Sequence, residues 1–305
     1  MKFVLMFILM LLMASTPLQP FAQAHRYDPP WNTPPKSALN FTIPGVDNVP
    51  DLYGDINNAQ LVIFFAGNQY MCVGDLIEAF KRKYPQYQRV FAETLPPGIL
   101  AQQIEGGSIT IGNLRITLQA DVYTAGKSRM LQMLPYVTDT ATYAFNKLAI
   151  MVAKGNPKHI HNLNDLGKAG VRVSMPNPEW EGIAKRIEEA YIKAGGDALK
   201  KRIMVQKVQN GSAYLTQIHH RQTPMRIMYG ESDAGPVWYS EAFYQQSIGH
   251  PLQMVTLPES QNVNAIYMAG LLKKAPHAQA GKDFLQFLKT DTAKAIYRKY
   301  GFTTP

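Results

Sequence analysis

One cysteine, Cys72, is present in 305 residues. No intrachain disulfide can therefore form, and the fold must be held by core burial alone, which excludes a small disulfide-stapled scaffold. Cys72 has no cation adjacent in sequence to lower its pKa and lies among the apolar residues of a helix start, so it reads as buried filler. The chain has no Gly-x-Ser-x-Gly, no P-loop and no Gly-x-Gly-x-x-Gly, so neither a nucleophile elbow nor a phosphate- or dinucleotide-binding turn is evident. No enzyme is expected, and no cofactor. Charged residues make up only 17% of the chain, but they are unbalanced, giving a net charge of +9. The basic residues are scattered (Lys81 to Lys83, Lys200 to Arg202, Lys273 and Lys274) rather than interleaved with aromatics, which argues against a nucleic-acid footprint. A basic field would instead speed the capture of a small anion.

No apolar run reaches the roughly 20 residues a membrane span needs. The run from Phe3 to Met13 follows Lys2 and precedes Ala22-Gln23-Ala24, the pattern of a secretory signal peptide cleaved after Ala24. A periplasmic location is the expectation. Residues 25–58 are rich in Pro, Asn and Asp without periodicity and read as an extended N-terminal arm. The remaining length suits two domains, and 46% apolar content can supply two cores.

From Leu61 the pattern becomes regular. Leu61 to Phe65 is a continuous apolar run of strand length, and after Ala66-Gly67-Asn68 the residues Val73, Leu76, Ile77 and Phe80 fall at helical spacing. Arg89 to Phe91 then gives a strand, Pro96-Pro97-Gly98 a loop and Ile99 to Ile104 a helix. Residues 108–118 alternate about Gly112-Asn113 as a hairpin. Asp121 to Tyr123 is a further strand before a helix around Met130 and Leu131. In the second half Ala149 to Val152, Gly170 to Ser174, Ile203 to Val208, Arg226 to Tyr229, Gly235 to Trp238 and Met254 to Thr256 read as strands. Ile183, Ile187, Ala190, Tyr191 and Ala194 mark one face of a helix ending at Gly195-Gly196. Repeated strand–helix units imply an α/β fold with parallel sheets covered on both faces. Crossings near residues 145 and 255 put both termini in one lobe: residues 59–145 with 256–305 form lobe 1, and 146–255 form lobe 2.

Several short stretches, taken in order, carry a family resemblance. They are Ala66-Gly67-Asn68-Gln69, Pro97-Gly98 leading to Gln103-Ile104-Glu105-Gly106, Ala120-Asp121-Val122-Tyr123, Asn146-Lys147-Leu148, Asp233 to Ser240, Tyr267, and the closing Lys299-Tyr300-Gly301-Phe302. Over roughly residues 59–305 the chain resembles the periplasmic molybdate/tungstate-type solute-binding proteins of ABC importers. The resemblance implies a two-lobed periplasmic-binding-protein fold, each lobe a mostly parallel sheet flanked by helices, joined by a two-strand hinge. It also implies a monomeric receptor that closes on a small oxyanion and passes it to an ABC membrane permease.

A tetrahedral oxyanion held without Lys or Arg needs backbone N–H groups converging from helix N-termini, with hydroxyls alongside. Three loops precede helices here: Asn68 to Met71, Thr94 to Gly98, and Glu179 to Ile183. The expected ligand-binding residues are Asn68, Gln69, Thr94, Gly98, Gly182, Val237 and Tyr267. Where the family offers serines, this chain has Asn68 and Pro96-Pro97, and proline has no N–H to donate. Glu93, Glu179 and Glu181 fall near these loops. Either they turn away from the ligand, or the ligand is not a simple oxyanion; a same-fold receptor for an organic acid or phosphorylated metabolite is then the alternative. Trp180 reads as a stacking group or as packing between lobes. A pairing of Glu93 with Glu181 would suit a cation or an amine. His159-x-His161 and His219-His220 read as exposed loop and helix-end residues rather than metal ligands. His25, as a new N-terminus, could chelate copper and make a metal-binding protein or periplasmic enzyme the remaining alternative.

Overall fold

The computed structural model describes residues 51–305 apart from Gly112 and Ile218. The expected signal peptide, His25 and most of the expected arm lie outside the described residues.

The chain first forms β1 (Leu52–Gly54), β2 (Leu61–Ala66), α1 (Tyr70–Lys83), β3 (Val90–Leu95), α2 (Pro97–Gly106), the hairpin β4 (Ile109–Ile111) and β5 (Leu114–Ile116), β6 (Val122–Gly126), α3 (Lys127–Gln132) and β7 (Val137–Asn146). It then forms β8 (Leu148–Ala153), β9 (Val173–Met175), α4 (Gly182–Lys201), β10 (Ala213–Leu215), α5 (Gln222–Met228), β11 (Ala234–Trp238), α6 (Tyr239–Ser247) and β12 (Leu252–Thr256). It closes with β13 (Ala265–Leu272), α7 (Ala278–Leu288) and α8 (Asp291–Lys299).

The strands make two principal sheets, ordered β1-β3-β2-β6-β13-β7 and β10-β9-β11-β8-β12. Each has a parallel part, β3-β2-β6 and β10-β9-β11, and an antiparallel flank. The flanking strands β7, β13, β8 and β12 are the ones that carry the chain between the sheets. Asn262 ties the two crossings together, accepting from the Leu148 N–H at 2.8 Å and donating to its carbonyl at 2.9 Å.

Strand alternation explains why β2 is apolar at every position. Leu61, Ile63 and Phe65 pack into one core, with α1 and α7, while Val62 and Phe64 pack into another with α2 and α3. Phe80 of α1 lies 5.3 Å from Phe284 of α7, edge to face. In the second sheet, Leu148, Ile150 and Val152 face α4, and Ala149 and Met151 face α5 and α6. Cys72 is wholly buried in α1, its thiol donating to the Gln69 carbonyl at 3.1 Å, and burial pushes its pKa up.

Some local expectations are corrected. Of residues 51–58, Leu52–Gly54 are a strand paired with β3. Residues 203–208, expected as a strand, lie mostly in a wide helical turn, Arg202–Lys207, that extends α4. Burial there falls on Ile203 and Lys207, four apart, and Val205 is exposed, which is helical spacing. Lys207 tolerates burial because its ammonium donates to the Lys168 and Val171 carbonyls. Residues 226–228 belong to α5, in which Pro224 sits in the first turn, where no N–H is needed. At Gly195-Gly196 α4 kinks rather than ends, with Gly196 at φ 67°.

Asp121, at the start of β6, is buried and joins three elements. Its carboxylate accepts from Val62 N–H of β2 at 2.8 Å, and from the N–H and Nδ1 of His277, the residue that caps α7, at 2.6 and 3.0 Å. Asp121→Ala strands these donors and is expected to cost about 3 kcal/mol, with Asp121→Asn costing less. Urea denaturation checks this through a lower midpoint at unchanged slope.

Candidate functional site

The C-terminal ends of β2, β3 and β6 each run into a helix start, and all three face the N-terminus of α4. Between them lies a cleft of about 290 Å³. One side, on the sheet of β2, β3 and β6, contributes Ala66 to Asn68, Pro96 to Gly98, Gly126 to Arg129, Leu131 and Asn264 to Tyr267; the other side contributes Trp180 to Ile183, Arg186, His219, His220 and Trp238. First-turn N–H groups have no partner within their own helix, so four helix or 3-10 starts aim partial positive charge at one space. In α2 the proline at the first position costs nothing locally. It does remove a donor, and the Ile99 and Leu100 N–H groups both turn to the Pro96 carbonyl, at 2.9 and 3.1 Å. The donor that this turn offers the cleft is therefore the Gly98 N–H.

Side chains complete the lining. Asn68, almost fully buried, donates through Nδ2 to the Tyr267 hydroxyl at 2.8 Å. Tyr267 is locked by Trp238 and Phe302, ring centroids 5.9 and 6.0 Å away, and burial pushes its hydroxyl well above the usual tyrosine range, keeping it neutral. Lys127 and Arg129 stand on the first turn of α3. Arg186 of α4 reaches across to the Ser128 hydroxyl at 3.3 Å while also pairing with Glu189 at 3.0 Å.

The carboxylates are disposed of separately. Glu179 is exposed. Glu93 is buried behind the cleft wall, where it accepts from Gln103 Nε2 at 3.1 Å; burial pushes its pKa up to about 7. Glu181 does line the cleft, but it accepts the His220 N–H at 2.6 Å and His220 Nδ1 at 3.0 Å. The other ring nitrogen, Nε2, lies 2.9 Å from the Glu241 carboxylate, which also accepts the Trp238 N–H. Burial alone would push the imidazole down; the charges of Glu241 and Glu181 and their hydrogen bonds override it and hold the pKa at about 10. Burial likewise opposes the Glu181 charge, and His220 brings its pKa below the ordinary value. His220 is thus a buried imidazolium between two carboxylates.

Of the expected ligand residues, Asn68, Gly98, Gly182 and Tyr267 line the cleft. Gln69, Thr94 and Val237 do not. Gln69 is committed to the Thr124 and Tyr297 hydroxyls, each at 2.8 Å. Thr94 is buried in β3, and Val237 belongs to the core beneath α5 and α6, leaving its neighbour Trp238 to face the cleft. Trp180 lines the cleft with its indole N–H given to the Gln217 carbonyl. His219 and His220 lie in the loop that leads to α5, as expected, but are buried rather than exposed: His219 Nε2 is 3.0 Å from Asp51 Oδ1, and His220 sits between Glu181 and Glu241. Both ring nitrogens of His220 are taken, and no group of three or more His, Cys, Asp or Glu is arranged to hold a metal among the described residues. Lys127, Ser128 and Arg129 were not anticipated, although Gly126 after β6 repeats the strand–small residue–helix pattern of the other loops. Arg186 and Glu241 gave no sequence signal.

A cleft between two α/β lobes, rimmed by helix starts and closed at the back by crossing strands, defines a two-lobed solute receptor. Residues 61–303 match the bacterial extracellular solute-binding proteins, and the chain belongs to that family. It is similar to the molybdate-binding protein ModA of Mycobacterium tuberculosis, with 24% identity over 248 residues that span 81% of this chain and 85% of the relative. Among solved structures it shares its fold with the periplasmic molybdate-binding protein of Azotobacter vinelandii, at a TM-score of 0.65 and 17% identity, covering 80% of this chain and 99% of the other. The sulfate-binding protein SubI of M. tuberculosis aligns at 0.63 and 20% identity, covering 79% and 85%. The chain is a binding protein and not an enzyme. No helix among the described residues is long and apolar enough to cross a membrane.

Because the folded pKa of His220 is raised above its unfolded value, its contribution to stability is complete below about pH 6.5. That contribution is lost as pH rises through about 10. His220→Gln is expected to destabilise the fold by roughly 3–5 kcal/mol near neutrality by leaving two carboxylates facing each other. The gap between wild type and variant should then shrink towards pH 10, as read by denaturant unfolding at a series of pH values.

Proposed function

We propose that this protein captures a small tetrahedral oxyanion of the molybdate or tungstate type between its lobes and delivers it to an ABC-type membrane permease. It acts as a periplasmic monomer after cleavage following Ala24. The observation that carries this reading is the convergence of helix starts from both sides of the cleft, on a space whose one inward carboxylate, Glu181, is neutralised by His220. Lys127, Arg129 and Arg186 add positive charge at the rim, where they draw in an anion without needing to touch it. The molybdate-binding relatives support the ligand class, and the sulfate-binding neighbour places sulfate among the anions to be tested.

The proposed lobes are residues 59–145 with 256–305, and 146–255. Each supplies part of the donor set: Asn68, Gly98 and Tyr267 from one, Gly182 from the other. A ligand that needs both binds the closed form better than the open one, and closure follows from that difference in affinity.

The test is a thermal-shift titration of the chain starting at His25, with molybdate, tungstate, sulfate, phosphate and citrate. Molybdate and tungstate should stabilise, by about 2.7 kcal/mol at a hundredfold excess over Kd. Stabilisation by citrate alone would overturn the proposal. Asn68→Ala and Tyr267→Phe each remove one neutral hydrogen-bonding group and should weaken binding roughly fivefold by calorimetry, and, since each also strands its buried partner, should lower the stability of the ligand-free protein by about 1–3 kcal/mol without unfolding it.

A further inference from the structure

The two sheets are hinged at one side only. In the first sheet the strands that lead to the crossings, β13 and β7, end the order β1-β3-β2-β6-β13-β7; in the second they are β8 and β12, which end β10-β9-β11-β8-β12. The edges farthest from the hinge are therefore β1 and β10. A contact between those edges has the longest lever against opening.

Such a contact exists, and it is ionic and buried. Asp51, the residue before β1, places its carboxylate Oδ1 2.6 Å from Arg221 Nη2 and 3.0 Å from His219 Nε2. Both partners lie in the segment that links β10 to α5. Asp51 is fixed to its own sheet by its carbonyl, which accepts the Thr94 N–H of β3 at 2.8 Å. The Arg221 guanidinium lies over the Tyr70 ring of α1, 5.3 Å from its centroid. All three charged or titratable side chains are at most 2% exposed. Among the described residues, Gln245 to the Tyr70 hydroxyl and Arg186 to Ser128, both at 3.3 Å, are longer contacts across the cleft, and the Lys193 ammonium donates to the Asn262 carbonyl at 2.7 Å beside the crossings.

We infer that Asp51, Arg221 and His219 form a latch that holds the two lobes closed before any ligand arrives. A buried ion pair stabilises a closed state only if attraction exceeds the cost of stripping water from both charges. Here burial opposes the Asp51 charge, yet Arg221 and His219 bring its pKa below the ordinary carboxylate value, so Asp51 stays ionised beside the guanidinium 2.6 Å away. Removing Asp51 takes from Arg221 and His219 the carboxylate they share across the cleft, and removing Arg221 takes from Asp51 its 2.6 Å cationic partner, so either change deletes the contact that ties the far edges together. A latch of this kind raises the fraction of protein already in the binding-competent form, and with it the apparent affinity.

The inference rests on the two-lobed fold and not on which anion is bound, so the experiment adds no ligand. Small-angle X-ray scattering of the ligand-free wild type should give the radius of gyration calculated for this closed structure. Asp51→Ala and Arg221→Ala should each shift it upward. Far-UV circular dichroism establishes that the variants are folded. If Asp51→Ala does not fold, Asp51→Asn removes the charge while keeping a side chain that can hydrogen-bond, and should show the same shift. An expanded ligand-free wild type overturns the latch. So do folded variants as compact as wild type.

Discussion

Glu181 occupies the N-cap of α4, where the chain must turn into the helix that faces the cleft. A carboxylate at that place would, uncompensated, repel any anion through a medium of low dielectric. His220 removes the difficulty by bonding to both Glu181 oxygens through its N–H and Nδ1, and Glu241 secures the arrangement from behind. Much of the second lobe's cleft wall follows from this. The His220 backbone is fixed against the start of α4, Glu241 also holds the Trp238 N–H at the start of α6, and Trp238 packs on Tyr267 across the cleft. The cost is a triad whose interior must keep one proton, which is why burial and charge pull the imidazole in opposite directions.

The sheets supply what the triad alone does not, a fixed direction of approach. Parallel strands place all their helix starts at one edge, and the antiparallel flank sends the chain across to the second sheet and back. Asn262, bonded on both sides to Leu148, makes the two crossings one joint. On the proposed function, positive charge at the rim can be exposed because Lys127 and Arg129 would act over a distance, whereas backbone groups, Asn68 and Tyr267 would be the donors at the floor.

The frame was legible in the sequence because its signals are local. Leu61 to Phe65 is an apolar run of strand length, and Asn68, Gly98 and Gly182 fall at the cleft because each lies where a strand or loop gives way to a helix. Gln69 and Thr94 stand one or a few positions from the cleft lining, since the sequence marks a turn but not which side chain turns inward. Val237 differs from its expected place in the same way, strand alternation pointing it to the core and Trp238 to the cleft. The triad was not legible at all. Glu181 and His220 are 39 positions apart and His220 and Glu241 are 21 apart, and no period links them; His219-His220, taken alone, has the look of an ordinary exposed pair. Residues 203–208 and 226–229 went wrong because β-branched and aromatic residues there gave strand composition, while the tertiary contacts selected helical spacing.

Cys72 carries a practical consequence. As the chain's one thiol, sealed under the first turn of α1 and bonded to Gln69, it is silent towards thiol reagents while the first lobe is intact. Its rate of modification is thus a clock for local breathing of that lobe's core, independent of the cleft. The same silence leaves a cysteine placed on the surface of either lobe as the only reactive position, so a fluorophore can be attached at one chosen point without first removing the native residue.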